Sequence, residues 1–264
     1  MKYKGNLKLA CNLQSYWHVV QYDSAASKTN VEHTLEDLLM KMKQKLIASA
    51  VALSAMAGFA VPAAHADVDV AASVSASNMY YWRGYDLDGG AALIADVHAS
   101  AAGFYTGIWA SSGDGALGTE YDWYAGYGFE LGPVTVDLNY TTYMYPTLEE
   151  PLGFDDVSDV AITLGYKVSD DLSFKAMYRD GVGEFLADDN YSYATLSGTY
   201  SKFTALVGMH SDDSGAYDEV THLDLSYAYS DKLTFTLGKV IDTGRLEAAN
   251  DELKFIATLS LPIE

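Results

Sequence analysis

Val134-Thr135-Val136-Asp137-Leu138-Asn139-Tyr140-Thr141 follows directly on the tight join Leu131-Gly132-Pro133. Side chains alternate across an extended strand, so Val134, Val136, Leu138 and Tyr140 fall on one face and Asp137, Asn139 and Thr141 on the other. Met144 continues the apolar row and Tyr143 the polar one. The same rhythm repeats on both sides. Short joins recur at Ala101-Ala102-Gly103, Ser169-Asp170-Asp171, Ser201-Lys202 and Ser230-Asp231-Lys232. Between them stand longer, glycine- and acid-rich joins: Tyr85–Gly90, Ser111–Thr119, Pro146–Val157, Asp180–Asn190, Ser211–Tyr217 and Asp242–Glu252. Tight turns at one end of a sheet and free loops at the other are the sequence pattern of an outer-membrane β-barrel.

The two faces hold along the chain. Val68, Val70, Ala72, Val74, Ala76, Tyr80 and Trp82 oppose Asp69, Ser73, Ser75, Ser77 and Arg83, which reads as one first strand. Leu93, Ala95, Val97 and Ala99 oppose Asp96, His98 and Ser100; Tyr121, Trp123, Ala125, Tyr127 and Phe129 oppose Glu120, Asp122 and Tyr124. Later rows set Phe174, Ala176 and Tyr178 against Lys175 and Arg179, and Leu223, Leu225 and Tyr227 against His222 and Asp224. Phe104–Ala110 and Tyr191–Tyr200 alternate less cleanly, and their inward face is not fixed by parity. The reading gives about twelve strands: an all-β, antiparallel, up-and-down transmembrane barrel. An even count puts both strand ends on the tight-turn, periplasmic side and the acidic loops outside.

A water-soluble sandwich or lipocalin-like barrel also alternates. Two features favour the membrane. Aromatics gather at the ends of the apolar rows, Tyr80, Trp82, Tyr121, Trp123, Tyr178 and Phe255 at one level and Phe104, Phe129, Tyr166, Phe203, Tyr227 and Tyr229 at the other, as interfacial girdles do. The polar rows also carry charge in mid-strand, which a packed core does not tolerate.

Three stretches divide the chain. Residues 42–66 read as a secretory signal peptide: Lys43 and Lys45, an apolar run from Leu46 to Phe59, and Ala64-His65-Ala66 before a cleavage that leaves Asp67 first. Residues 1–41 carry no strand alternation and read as an over-extended start without structural role. Residues 67–264 are the barrel. Of the 16 Lys+Arg, seven precede Asp67, and of the 36 Asp+Glu, four do, so the exported part carries 9 − 32 = −23. Cys11, the single cysteine, is removed with the leader, so no disulfide is available. The acidic balance argues against nucleic acid.

Asn78-Met79-Tyr80-Tyr81-Trp82-Arg83-Gly84, Gly103-Phe104-Tyr105-Thr106-Gly107-Ile108-Trp109-Ala110-Ser111, Glu120-Tyr121-Asp122-Trp123-Tyr124-Ala125-Gly126-Tyr127 and Asp137–Pro146 resemble the TorF-type porin family of proteobacterial exported proteins. The resemblance lies in the first half of the exported chain; the second half agrees in strand rhythm more than in residues. It implies an outer-membrane channel, with a link in some members to uptake of small respiratory substrates such as trimethylamine N-oxide. Many outer-membrane barrels end on an aromatic residue that helps assembly; this sequence ends Ser260-Leu261-Pro262-Ile263-Glu264.

The expected function is passive diffusion of small polar solutes or ions through the bacterial outer membrane, without catalysis, cofactor or metal. Pore-lining candidates are Arg83, Asp96, His98, Asp122, Asp137, Lys175, Arg179, His222 and Asp224, as selectivity filters use charged side chains; any one of them can equally pair across the lumen. Expected partners are outer-membrane lipids and lipopolysaccharide, the barrel-insertion machinery and small solutes. Two other classes share parts of this pattern. One is a structural or surface-binding barrel, for which loops of about ten residues are short. The other is a membrane hydrolase using His98-Ala99-Ser100, which lacks an evident third group and lies on the polar row rather than facing lipid. Asp86-Leu87-Asp88-Gly89-Gly90, Asp188-Asp189 and Asp212-Asp213 are fragments of calcium-loop spacing without the remaining ligands.

Overall fold

The computed structural model describes residues 67–87, 90–114, 118–213, 219–244 and 251–263. The expected leader, with Ala64 and Ala66, lies outside the described residues.

The described strands are β1 (Asp69–Ser77), β2 (Tyr81–Trp82), β3 (Tyr85–Asp86), β4 (Ala92–Ala101), β5 (Phe104–Asp114), β6 (Gly118–Leu131), β7 (Val134–Tyr145), β8 (Leu152–Lys167), β9 (Leu172–Gly181), β10 (Ser192–Tyr200), β11 (Phe203–Ser211), β12 (Thr221–Ala228), β13 (Leu233–Asp242) and β14 (Lys254–Ile263); one short helix, α1, spans Glu184–Asp188. Each barrel strand pairs antiparallel with its sequence neighbour, and β1 pairs with both β4 and β14. The result is a closed barrel of twelve strands, β1 with β4 to β14. The seam between β1 and β14 is stitched by the pair Ser75 and Ser260, whose hydroxyls lie 2.8 Å apart. Closure leaves no strand edge, so the backbone N–H and C=O groups of the wall are paired within it.

The tight joins form where the sequence placed them. Ala102 and Gly103 both take positive φ, 52° and 87°, as a two-residue hairpin turn matched to strand twist requires. Gly132 stands at φ 60° ahead of Pro133, whose ring fixes the next φ. At the other end the strands run further than the joins suggested: β5 and β6 reach Asp114 and Gly118, β8 begins at Leu152, and α1 occupies part of Asp180–Asn190.

The apolar rows face outward. Val70, Val74, Leu93, Val97, Tyr121, Ile162, Leu164, Phe174, Val207, Leu225, Leu237, Phe255 and Leu259 are all exposed. The two segments that parity left undecided resolve as well: Ile108, Leu196 and Tyr200 are exposed, which turns Tyr105, Trp109, Tyr191 and Tyr193 inward. Most of the girdle residues, among them Tyr166, Tyr178, Phe203 and Tyr229, are exposed on this outer surface.

The first strand departs from the expectation. β1 ends at Ser77, and the aromatic run after it does not continue along the wall. Asn78 stops the ladder by turning its side chain onto β14, donating to the Phe255 carbonyl at 2.9 Å and accepting from Ala257 N–H at 2.7 Å. The chain then folds into the barrel as the hairpin β2–β3, reversed by Arg83 and Gly84 at φ 48° and 97°. Tyr80 and Trp82 therefore belong inside and not to the outer girdle; Tyr80 is 6% exposed. An eight-strand barrel fills its interior with wall side chains, whereas a wider one leaves room for an inserted segment.

A closed barrel resists detergent until it is heated. The purified protein, refolded in detergent and run unheated, should migrate faster than the boiled sample on a denaturing gel; equal mobility would contradict closure.

Candidate functional site

The hairpin is held by groups from many strands. Arg83 sits at its tip. Its guanidinium donates to the Tyr191 hydroxyl at 2.8 Å and to the Tyr143 hydroxyl at 2.8 Å, and lies 3.5 Å from the Asp159 carboxylate. Arg179 on β9 forms a second ion pair with the same carboxylate and also donates to Tyr143. Tyr143 in turn donates to Asp159 at 2.8 Å. One fully buried anion thus lies between two guanidinium cations, with a tyrosine hydroxyl serving all three groups. Buried charge is tolerated only when paired and hydrogen-bonded in this way. The Arg83 cation also lies over the Trp82 and Tyr193 rings, at 4.6 and 5.0 Å.

The far side of the hairpin rests on two buried histidines. His210 Nε2 donates to the Arg83 carbonyl at 2.7 Å, and its Nδ1 lies 3.2 Å from the Tyr191 hydroxyl. His222 bridges Tyr193, at 2.8 Å, and Asp224, at 3.1 Å. Tyr81 donates to the same Asp224 carboxylate at 2.6 Å. Glycines in the wall make room for these rings. A Cβ on Gly238 would stand 2.1 Å from the Tyr81 hydroxyl, and one on Gly208 would stand 2.2 Å from His222 Nε2.

Beside the hairpin is a cavity of about 570 Å³, bounded by Met79, Tyr80, Tyr81, Arg83, Trp109, Glu120, Asp122, Tyr124, Tyr143, Arg179, Asp224 and the small residues Ser77, Ser226, Thr236 and Thr258. At roughly 30 Å³ per water it has space for about twenty waters or one small polar solute. Its acidic side is built by β6. Glu120 and Asp122 are two residues apart on one face, both buried. Tyr80 donates to one oxygen of Glu120 and Tyr145 to the other. Asp122 Oδ1 and Arg179 Nε are buried and have no hydrogen-bond partner.

The sequence candidates divide into groups. Arg83, Asp122, Arg179 and Asp224 border the cavity, Arg83 from the hairpin and not from the wall. His222 has no exposed surface and braces the hairpin. Asp96, His98, Asp137 and Lys175 do not border it. Asp96 accepts from Tyr124 at 2.8 Å and Asp137 from Tyr105 at 3.0 Å. Lys175 has no ion pair among the described residues, while Lys254 reaches Asp86 of the hairpin at 3.7 Å.

The polar row His98 and Ser100 does have a third member that sequence reading missed. His98 Nδ1 lies 2.8 Å from Asp96, two residues before it. No hydrogen bond joins Ser100 to His98 among the described residues, and a nucleophilic serine needs its base within that reach. Outside the barrel wall, burial and then the neighbouring Asp212 push the Asp189 carboxyl above the usual range. No group of three or more His, Cys, Asp or Glu that could hold a metal occurs among the described residues.

Sequence reading also missed Tyr80, Tyr81 and Glu120 as site residues. The available signal was Tyr80-Tyr81-Trp82 itself: three consecutive aromatics cannot all lie on one face of a strand.

Asp159→Asn preserves shape but removes the anion between two cations. It should cost about 3–5 kcal/mol, read as a lower urea midpoint. Asp137→Asn, half-buried and bonded to a neutral tyrosine, should cost no more than about 1.5 kcal/mol. Equal losses would contradict the tether.

No curated protein matches this chain in sequence. Among solved structures it is similar to the KdgM porin, at 10% identity and a TM-score of 0.43, covering 74% of this chain and 99% of that one. The NanC porin gives 13% and 0.44, covering 73% and 99%. OccK5 (OpdH) of Pseudomonas aeruginosa gives 10% and 0.37, covering 75% and 68%. A family model described as a bacterial protein of unknown function, Gcw_chp, matches residues 62–247, and the chain belongs to that family.

Proposed function

We propose that the protein is an outer-membrane channel through which small polar solutes or ions diffuse passively, narrowed by the β2–β3 hairpin. The observation that carries this reading is the inversion of polarity across one closed wall: exposed Val, Leu, Ile and aromatic side chains outside, and a charged, hydroxyl-rich cavity within. A water-soluble protein buries its apolar side chains, and only hydrocarbon around the barrel makes this arrangement favourable. The position of the hairpin supports a size limit, because it fills the lumen beside a cavity fit for a small solute. Signal peptide, lipid and lipopolysaccharide contact and delivery by the insertion machinery belong to the same reading. Catalysis forms no part of it.

Reconstituted into planar bilayers, the wild type should give discrete conductance steps. Arg83→Ala removes the tether of the hairpin tip and should raise both the step size and the current noise. Absence of steps in repeated insertions would overturn the channel reading. On the outer face, Val207→Arg in mid-strand should cost about 2–4 kcal/mol in lipid vesicles. A neutral effect there would mean that this row does not meet hydrocarbon.

A further inference from the structure

The geometry points to a binding site for one univalent cation, inorganic or the ammonium end of a solute, at Asp122 and Glu120 within the lumen. This deepens the channel reading and rests on it.

Asp122 is 8% exposed and borders the cavity; its Oδ1 accepts no hydrogen bond, and its carboxyl group lies within hydrogen-bond reach of that of Glu120, so that one cation or one proton must stand between the two. No described basic side chain forms an ion pair with it. The two arginines of the same cavity, Arg83 and Arg179, are both paired with Asp159. Two guanidinium groups thus face four carboxyl groups, Glu120, Asp122, Asp159 and Asp224. A carboxylate held in this way is costly unless a cation or a proton joins it.

The surroundings select the occupant. Glu120 is the second carboxylate, fixed by two tyrosine hydroxyls so that its oxygens keep their positions. Trp109 is the register partner of Asp122 on β5, and its ring lies 6.2 Å from that of Tyr80. Aromatic side chains lining the same cavity as a carboxylate suit a weakly hydrated cation or an ammonium group. A calcium ion needs six to eight oxygen ligands, commonly from several carboxylates. Two carboxylates fall short of that, in keeping with the absence of a three-residue metal cluster among the described residues.

A pore with a cation site saturates as salt rises. Wild-type conductance should level off with KCl, and ethylammonium added on one side should reduce the potassium current. Asp122→Asn should raise the half-saturating KCl about tenfold, equivalent to about 1.4 kcal/mol, and abolish the ethylammonium effect. Asp188→Asn, which removes the same charge from the exposed last residue of α1, should change neither. Saturation without an ethylammonium effect supports an inorganic ion; both together support an ammonium-bearing solute as well. Wild-type conductance linear in KCl, or Asp122→Asn and Asp188→Asn behaving alike, would overturn the site. A second reading does not need a conducting pore or a folded variant. Wild-type protein in detergent should broaden the sodium NMR line, and ethylammonium should reverse the excess. Broadening that ethylammonium leaves untouched, together with no saturation, would overturn the site; missing conductance with reversible broadening would sink the channel reading alone.

Discussion

Closure of β1 on β14 is the constraint from which the rest follows. A twelve-strand sheet left open would present two rows of unpaired N–H and C=O groups, and in hydrocarbon each costs several kcal/mol. Once closed, the wall has an outside and an inside, and period-two alternation assigns every side chain to one of them. The register at the seam, Ser75 opposite Ser260, therefore sets which residues face outward and which face the lumen along β1 and β14, because a shift of one residue would exchange the faces.

Closure also creates a space that twelve strands of side chains do not fill. The chain solves this with its own first loop. Asn78 ends the ladder, Arg83 and Gly84 reverse the chain, and the hairpin descends onto Asp159, His210, His222 and Asp224. Its contacts come from β7, β8, β10, β11, β12 and β14, so it cross-braces half of the wall. Polar side chains, paired with one another, are here the means of fixing one segment inside the barrel. What remains beside the hairpin is shaped by the segment and the wall together.

The barrel was legible in the sequence because alternation and turn length are local properties. Leu131-Gly132-Pro133 marks a turn whatever surrounds it, and Val134–Thr141 sorts its residues without knowledge of its neighbours. The hairpin was not legible, because Tyr80 and Trp82 keep the two-residue spacing of the apolar row, and Met79–Trp82 passes for four more residues of wall despite its three consecutive aromatics. Whether it lies in the wall depends on Asn78 bonding to Phe255 and Ala257, more than 170 residues away. The candidate charges fared in the same way. Parity placed Asp122, Arg179 and Asp224 on the polar row, but grouping them around one cavity required strand order. Asp96 beside His98 was within reach of the sequence, since residues two apart share a face.

The most direct measurement of the central claim is the accessibility of nitroxide labels placed one at a time along Ser192–Tyr200 in lipid vesicles. Labels at 194, 196, 198 and 200 should be relaxed by oxygen dissolved in hydrocarbon, and labels at 193, 195, 197 and 199 by a water-soluble nickel chelate. The same water exposure at every position, without a period of two, would contradict a wall with hydrocarbon on one side and water on the other.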